Sequence, residues 1–161
     1  MKQRSYRSLR KFLLIFSMGL ISILCIQCDQ ANQKQEIQNE GYPVLETMGY
    51  YQRFSHKLWL AGSNANWELA DFYTHELEEV TEQLIESNLI HDDYNLSSLS
   101  ESMLLPKIEQ VEKAIRQKDQ VLFLENYELM VGSCNLCHQA TQHAFIKILV
   151  PTDSTVFNQS F

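Results

Sequence analysis

Apolar residues recur every three or four positions in four stretches of this chain, which is the spacing of amphipathic helices. The first stretch covers about residues 44–60 and the second about residues 66–87. The third covers about residues 105–118, and the fourth begins at Asp119, a residue type that caps helix N-termini. No stretch alternates long enough to form a sheet. The pattern predicts an all-α fold, an antiparallel four-helix bundle.

The apolar faces of the first and last predicted helices define the interior. The broad face of the first helix comprises Leu45, Met48, Tyr51, Gln52, Ser55, His56 and Trp59. The stripe of the last helix comprises Phe123, Tyr127, Met130, Cys134 and His138. Residues 89–103, with Asp92, Asp93 and several serines, are predicted to form a polar loop, and residues 146–161 an extended tail.

The first 28 residues have the organisation of an export signal. Five basic residues precede a nearly unbroken apolar run over residues 12–26. That run is short for a bilayer span, which needs about 20 residues, so we expect a cleaved signal rather than an uncleaved anchor. Cys28 stands where the chain turns polar and is the expected lipidation site of a bacterial lipoprotein. The small residue that usually precedes a lipidated cysteine is missing, so the anchor stays as the alternative.

Three regions follow from this organisation: the signal or anchor at 1–28, a tether at 29–42 rich in polar residues, and a folded domain at 43–161. Five of the thirteen basic and none of the twenty acidic residues precede Cys28, which leaves a formal charge of −12 on the remainder. This charge argues against binding to nucleic acid or to anionic lipid. It permits a basic redox partner. The length suits one domain.

Cys134, Cys137 and His138 form a Cys-x-x-Cys-His motif, the spacing of covalent c-type haem attachment. Two thiols add to the two vinyl groups of one haem, and the adjacent imidazole binds the iron. A zinc site would need two further ligands with similar spacing, whereas the only other cysteines, Cys25 and Cys28, lie in the N-terminal segment. A thioredoxin-like redox pair would follow a strand. The motif therefore predicts one covalent haem c with His138 as axial ligand.

The late position of this motif on the last of four helices resembles cytochrome c′, the class II c-type cytochromes. A class I cytochrome c usually carries the motif near its start and an axial Met downstream, but no Met follows His138. The similarity is closer to a group of exported bacterial cytochrome c′-like proteins and covers most of residues 50–161. It is carried by HKLWLAG at 56–62, NWELA at 66–70, HELEE at 75–79 and HAFI at 143–146, besides the motif. The resemblance implies a four-helix bundle with iron held by His138, and it assigns no physiological role.

The ligand on the far side of the haem should come from the first helix, which packs antiparallel to the last. His56 is the candidate distal ligand, with Met48 the weaker alternative. A histidine bonded to a side chain or water is the ordinary alternative for His56. Trp59 is a candidate wall of the haem pocket. His143 is a candidate contact of a haem propionate.

Together these features predict an exported monohaem cytochrome that carries electrons to an unidentified redox partner protein outside the cytoplasmic membrane. The alternative is binding or sensing of NO or CO at an open distal position. We expect no enzymatic activity, because a peroxidase would need distal polar groups, and no Arg-His pair is visible. A homodimer through the first two helices is implied only by analogy with cytochrome c′.

Overall fold

The computed structural model of the protein describes residues 43–152. The chain divides into two units, Met1–Gly41 and Tyr42–Phe161, and every described residue belongs to the second. The four long helices within residues 43–152 are α1 Val44–Ser63, α2 Trp67–Glu86, α4 Leu105–Gln117 and α5 Gln120–Ala140. The predicted all-α class is confirmed. Over residues 43–152, no helix has both the length and the hydrophobicity to cross a membrane.

Polar side chains fix where the helices begin. Asn66 caps α2 by accepting a hydrogen bond from the backbone N–H of Leu69. Asp119 caps α5 in the same way, accepting from Leu122 N–H at 3.0 Å, which confirms its predicted role. Lys118 ends α4 in the left-handed conformation, with φ 55°, and so turns the chain directly into α5.

Residues 89–103 are ordered, and the prediction of a polar loop here was wrong. The strands β1 Ile90–His91 and β2 Tyr94–Asn95 pair antiparallel, and the short helix α3 Leu96–Leu99 and a π-helical turn, Ser100–Leu104, lead into α4. The buried Ser97 hydroxyl donates to Leu84 O at 2.6 Å and accepts from Leu89 N–H at 2.7 Å. The Ser97 hydroxyl therefore bonds to backbone groups rather than to solvent, one in the last turn of α2 and one just after that helix.

The four long helices pack as a closed ring of neighbours. Helix α1 lies against α2 and α5, and α4 lies against the same two helices. The side chains at the centre are fully buried: Leu58, Ala61, Ala70, Val111, Ala114 and Phe123. A smaller cluster of Leu84, Leu89 and Leu96 holds the β-hairpin and α3 against the end of α2.

Two hydrogen bonds fix the register between α1 and α5. Gln120 Nε2 donates to Ser63 O at 2.7 Å, and the hydroxyl of Tyr127 donates to Ser55 O at 2.8 Å. Burial raises the pKa of Tyr127, so its phenol remains a neutral donor. Rising numbers on α5 therefore meet falling numbers on α1, and the two helices run antiparallel.

Gly62 lets α1 approach the ring of Phe123. A Cβ at position 62 would overlap the ring atoms Cζ, Cε1 and Cε2, and both residues are buried. Gly132 on α5 differs, since a Cβ there would meet no atom within 4 Å.

We expect Gly62→Ala to destabilise the domain by about 1–3 kcal/mol, because the added methyl group would force the fully buried ring of Phe123 to shift. Gly132→Ala is the matched control, and it should stabilise the domain by about 0.5–1 kcal/mol through helix propensity. Urea unfolding followed by circular dichroism measures both free energies of unfolding. Equal effects of the two substitutions would contradict the close packing at Gly62.

Candidate cofactor site

A cavity of about 320 Å³ lies between α1, α5 and the segment that contains the π-helical turn. This volume falls within the range of small-molecule sites. Its walls are mainly apolar and include Leu45, Met48, Tyr51, Leu77, Leu99, Leu104, Ile108, Met130, Ile146 and Ile148. The cavity therefore suits a large apolar ligand with few polar contacts.

All three residues of the Cys-x-x-Cys-His motif line this cavity. Cys134, Cys137 and His138 lie in the last turns of α5, and each is partly buried. Cys134 and His138 are four residues apart on a continuous helix, so their side chains leave the same face. The structure thus brings the predicted attachment residues together at one apolar surface.

Both motif cysteines are free thiols whose surroundings disfavour ionisation. Burial, with a smaller contribution from the neighbouring Cys137, raises the pKa of Cys134 to about 11. Burial also raises the pKa of Cys137. Redox-active dithiols show the opposite shift, since they depend on a stabilised thiolate. The raised pKa values of the pair therefore do not match the stabilised thiolate of a disulfide-exchange site.

A multidentate metal site made of side chains alone has no support among residues 43–152. No group of three or more His, Cys, Asp or Glu side chains in this range could hold a metal ion together. The motif supplies a single imidazole instead, and a haem needs no more from one face of the iron.

His138 is oriented by the segment that follows α5. Its Nδ1 lies 2.8 Å from Ile146 O, and His143 N–H donates to His138 O at 2.6 Å. A carbonyl only accepts hydrogen bonds, so this contact favours the tautomer with the proton on Nδ1. Nε2 then keeps its lone pair for a metal, and the donor set fits a covalently held haem.

The opposite wall of the cavity is formed by one face of α1. Met48, Gln52 and Ser55 line it at positions i, i+4 and i+7, which share a helix face. The antiparallel register of α1 and α5 continues at the same rise per residue in both helices. It places Met48 level with Cys134.

The other three predicted site residues lie away from the cavity wall. His56 is partly buried, about 12 Å further along α1 than Met48, and turned about 100° from Ser55 around the axis. Trp59 packs against the main core. His143 Nδ1 lies 2.7 Å from Thr141 O, in the turn after α5. The structure brings together Cys134, Cys137 and His138 at the cavity. His56 and Trp59 do not line this cavity, and His143 contacts the motif through its backbone N–H, which donates to His138 O.

The sequence did not indicate a role for one residue next to the cavity. Asn135, inside the motif, donates through Nδ2 to Val131 O at 3.2 Å and to Ile148 O at 2.9 Å. Its Oδ1 accepts from Ile148 N–H at 2.8 Å. No local sequence pattern predicts the two bonds to Ile148, because Asn135 and Ile148 are 13 positions apart.

The predicted signal or anchor, the lipidation site Cys28 and the tether lie outside the described residues, as does the end of the tail from residue 153. A search of protein-family models, curated proteins and solved structures finds no match to this chain.

Proposed function

We propose that this chain is an exported monohaem c-type cytochrome, a four-helix bundle with haem on its last helix that carries electrons outside the cytoplasmic membrane. The observation that carries the proposal is the convergence of Cys134, Cys137 and His138 on one apolar cavity. Bound haem supplies a one-electron couple between ferrous and ferric iron.

Each residue of the site has a separate task in this proposal. Cys134 and Cys137 hold the group through two thioethers. His138 offers Nε2 to the iron while Ile146 O holds its Nδ1–H and so fixes the plane of the ring. The apolar walls would limit the access of water to the bound haem. This would favour the oxidation state of the iron that has the lower net charge.

The distal position favours Met48 over His56, the residue that the sequence predicts. Met48 lines the cavity level with Cys134, and its thioether is a known axial ligand type in electron-transfer cytochromes. Met/His ligation raises the reduction potential and leaves no open position for other ligands.

Binding of NO or CO is the second candidate, and the apolar character of the distal wall supports it. If Met48 stays off the iron, no charged side chain is among the residues of that wall, and a small neutral gas would meet no competing strong ligand. We propose no enzymatic role, because the α1 wall offers the polar side chains of Tyr51, Gln52 and Ser55 but no Arg-His pair of the kind a haem peroxidase would use.

The cellular setting remains part of the proposal. A lipid on Cys28, or an uncleaved anchor, would hold the domain at the outer face of the cytoplasmic membrane or at the cell surface. The negative charge that remains after cleavage suits a redox partner with a basic docking surface. A homodimer through α1 and α2 is proposed only by analogy with cytochrome c′.

The decisive experiment is the mass of the denatured protein after expression in a host with haem-attachment machinery. We expect the mass of the processed chain plus one haem, because thioethers survive denaturation. Expression without that machinery is the control and should give the bare polypeptide. A bare polypeptide in both hosts would contradict the proposal.

A further inference from the structure

We propose that Asn135 is a positioning residue that docks the segment after α5 against the site and thereby sets the reduction potential through His138. This inference rests on the proposed function, since it concerns the iron that His138 would bind. Asn135 itself touches neither the iron nor the reacting atoms.

The geometry of Asn135 explains how a side chain docks a strand-like segment. Its amide group donates to Ile148 O and accepts from Ile148 N–H. The side chain thus pairs with both the backbone N–H and the backbone C=O of one residue. A neighbouring β-strand makes the same pair of bonds. The third bond, to Val131 O, holds the amide against its own helix. Ile148 and Val150 consequently pack against the main core.

This docking reaches His138 through the backbone. Ile146, whose carbonyl accepts from His138 Nδ1, lies two residues before Ile148. Its own side chain is 45 % exposed, so burial does little to hold it. On its other side the turn is closed by Ile146 N–H, which donates to His143 O at 2.8 Å. The Ile146 carbonyl is therefore held from two directions, and Asn135 supplies one of them.

The hydrogen bond at Nδ1 changes the chemistry of the imidazole. An acceptor on Nδ1–H makes Nε2 more basic and fixes the orientation of the ring. A more basic ligand stabilises ferric iron more than ferrous iron. Loosening the Ile146 carbonyl should therefore raise the reduction potential.

The test compares Asn135→Leu with Asn126→Leu in the haem-loaded protein. Asn126 is the matched control, because its Nδ2 also donates from α5 to a backbone carbonyl, that of Gln110 on α4, away from the cavity. We expect Asn135→Leu to raise the equilibrium constant for reduction about tenfold, or about 59 mV for one electron. Asn126→Leu should leave it unchanged. Amide exchange at Ile148 should become fast only in Asn135→Leu.

Each outcome bears on one part of the inference. Haem-loaded Asn135→Leu with fast exchange at Ile148 and an unshifted potential would overturn the inference and leave the cytochrome intact. Unprotected exchange at Ile148 in the wild type would overturn the docking role, even if the variant failed to fold. A wild type without haem would be evident from its mass and would overturn the proposed function, whereas protection at Ile148 is measurable in either case.

Discussion

The double variant Cys134→Ala, Cys137→Ala is expected to contain no covalent haem, the largest change that any substitution here should cause. Both thiols line the cavity, and thioethers at these positions are the only covalent links that the proposal requires. Any haem that remains would be held by its iron ligands and apolar contact alone, so acidified organic solvent should extract it. Each single variant should keep one thioether, and the pyridine haemochrome spectrum should shift accordingly.

Cys28→Ala is the control for this experiment. It removes a cysteine outside the motif, so haem content should stay at the wild-type level while fatty-acid labelling of the chain is lost. Covalent haem that persists in the double variant of the motif would contradict the assignment of Cys134 and Cys137. Labelling that persists in Cys28→Ala would contradict the proposed lipidation site.

Met48→Ala is expected to convert the ferric iron from low-spin to high-spin and to speed the binding of CO. The physical reason is that a thioether ligand must leave the iron before CO binds, and alanine offers no ligand. Absorption spectra of the oxidised protein and flash or stopped-flow measurements with CO report the two changes.

His56→Ala is the matched control on the same helix, since His56 does not line the cavity. It should leave both spin state and CO binding unchanged. If His56→Ala produces the change instead, the sequence prediction of a histidine ligand holds. A wild type that is already high-spin and binds CO at once would contradict ligation by Met48 and favour gas binding over electron transfer.

The helices were predictable because their signals are local. Apolar spacing locates both ends of α2 to within about two residues, and the cap Asp119 locates the start of α5. The ordered segment at 89–103 was not predictable, because its serines look solvated until Ser97 is seen bonding to the end of α2. A polar composition alone does not show whether such serine side chains bond to water or to the backbone of an ordered segment.

The motif was predictable from spacing, whereas its surroundings depend on tertiary register. The choice between Met48 and His56 depends on the register of α1 against α5. Two long-range hydrogen bonds between these helices fix that register. The face of α1 that lines the cavity, with Met48 and Ser55, is narrower than the inward face that the sequence predicts. His56 lies beside this narrower face. Neither the register between the two helices nor the width of the α1 face that lines the cavity can be read from the sequence of one helix.

The bond between Tyr127 and Ser55 also has a consequence for the order of folding. It joins residues 72 positions apart, whereas turns of three and two residues link α1 to α2 and α4 to α5. Short loops close at lower entropic cost and faster than long ones. The two helical hairpins are thus expected to form first and to join last along the α1–α5 seam. Until they join, the cysteine face of α5 would stay open to the machinery that attaches the proposed haem.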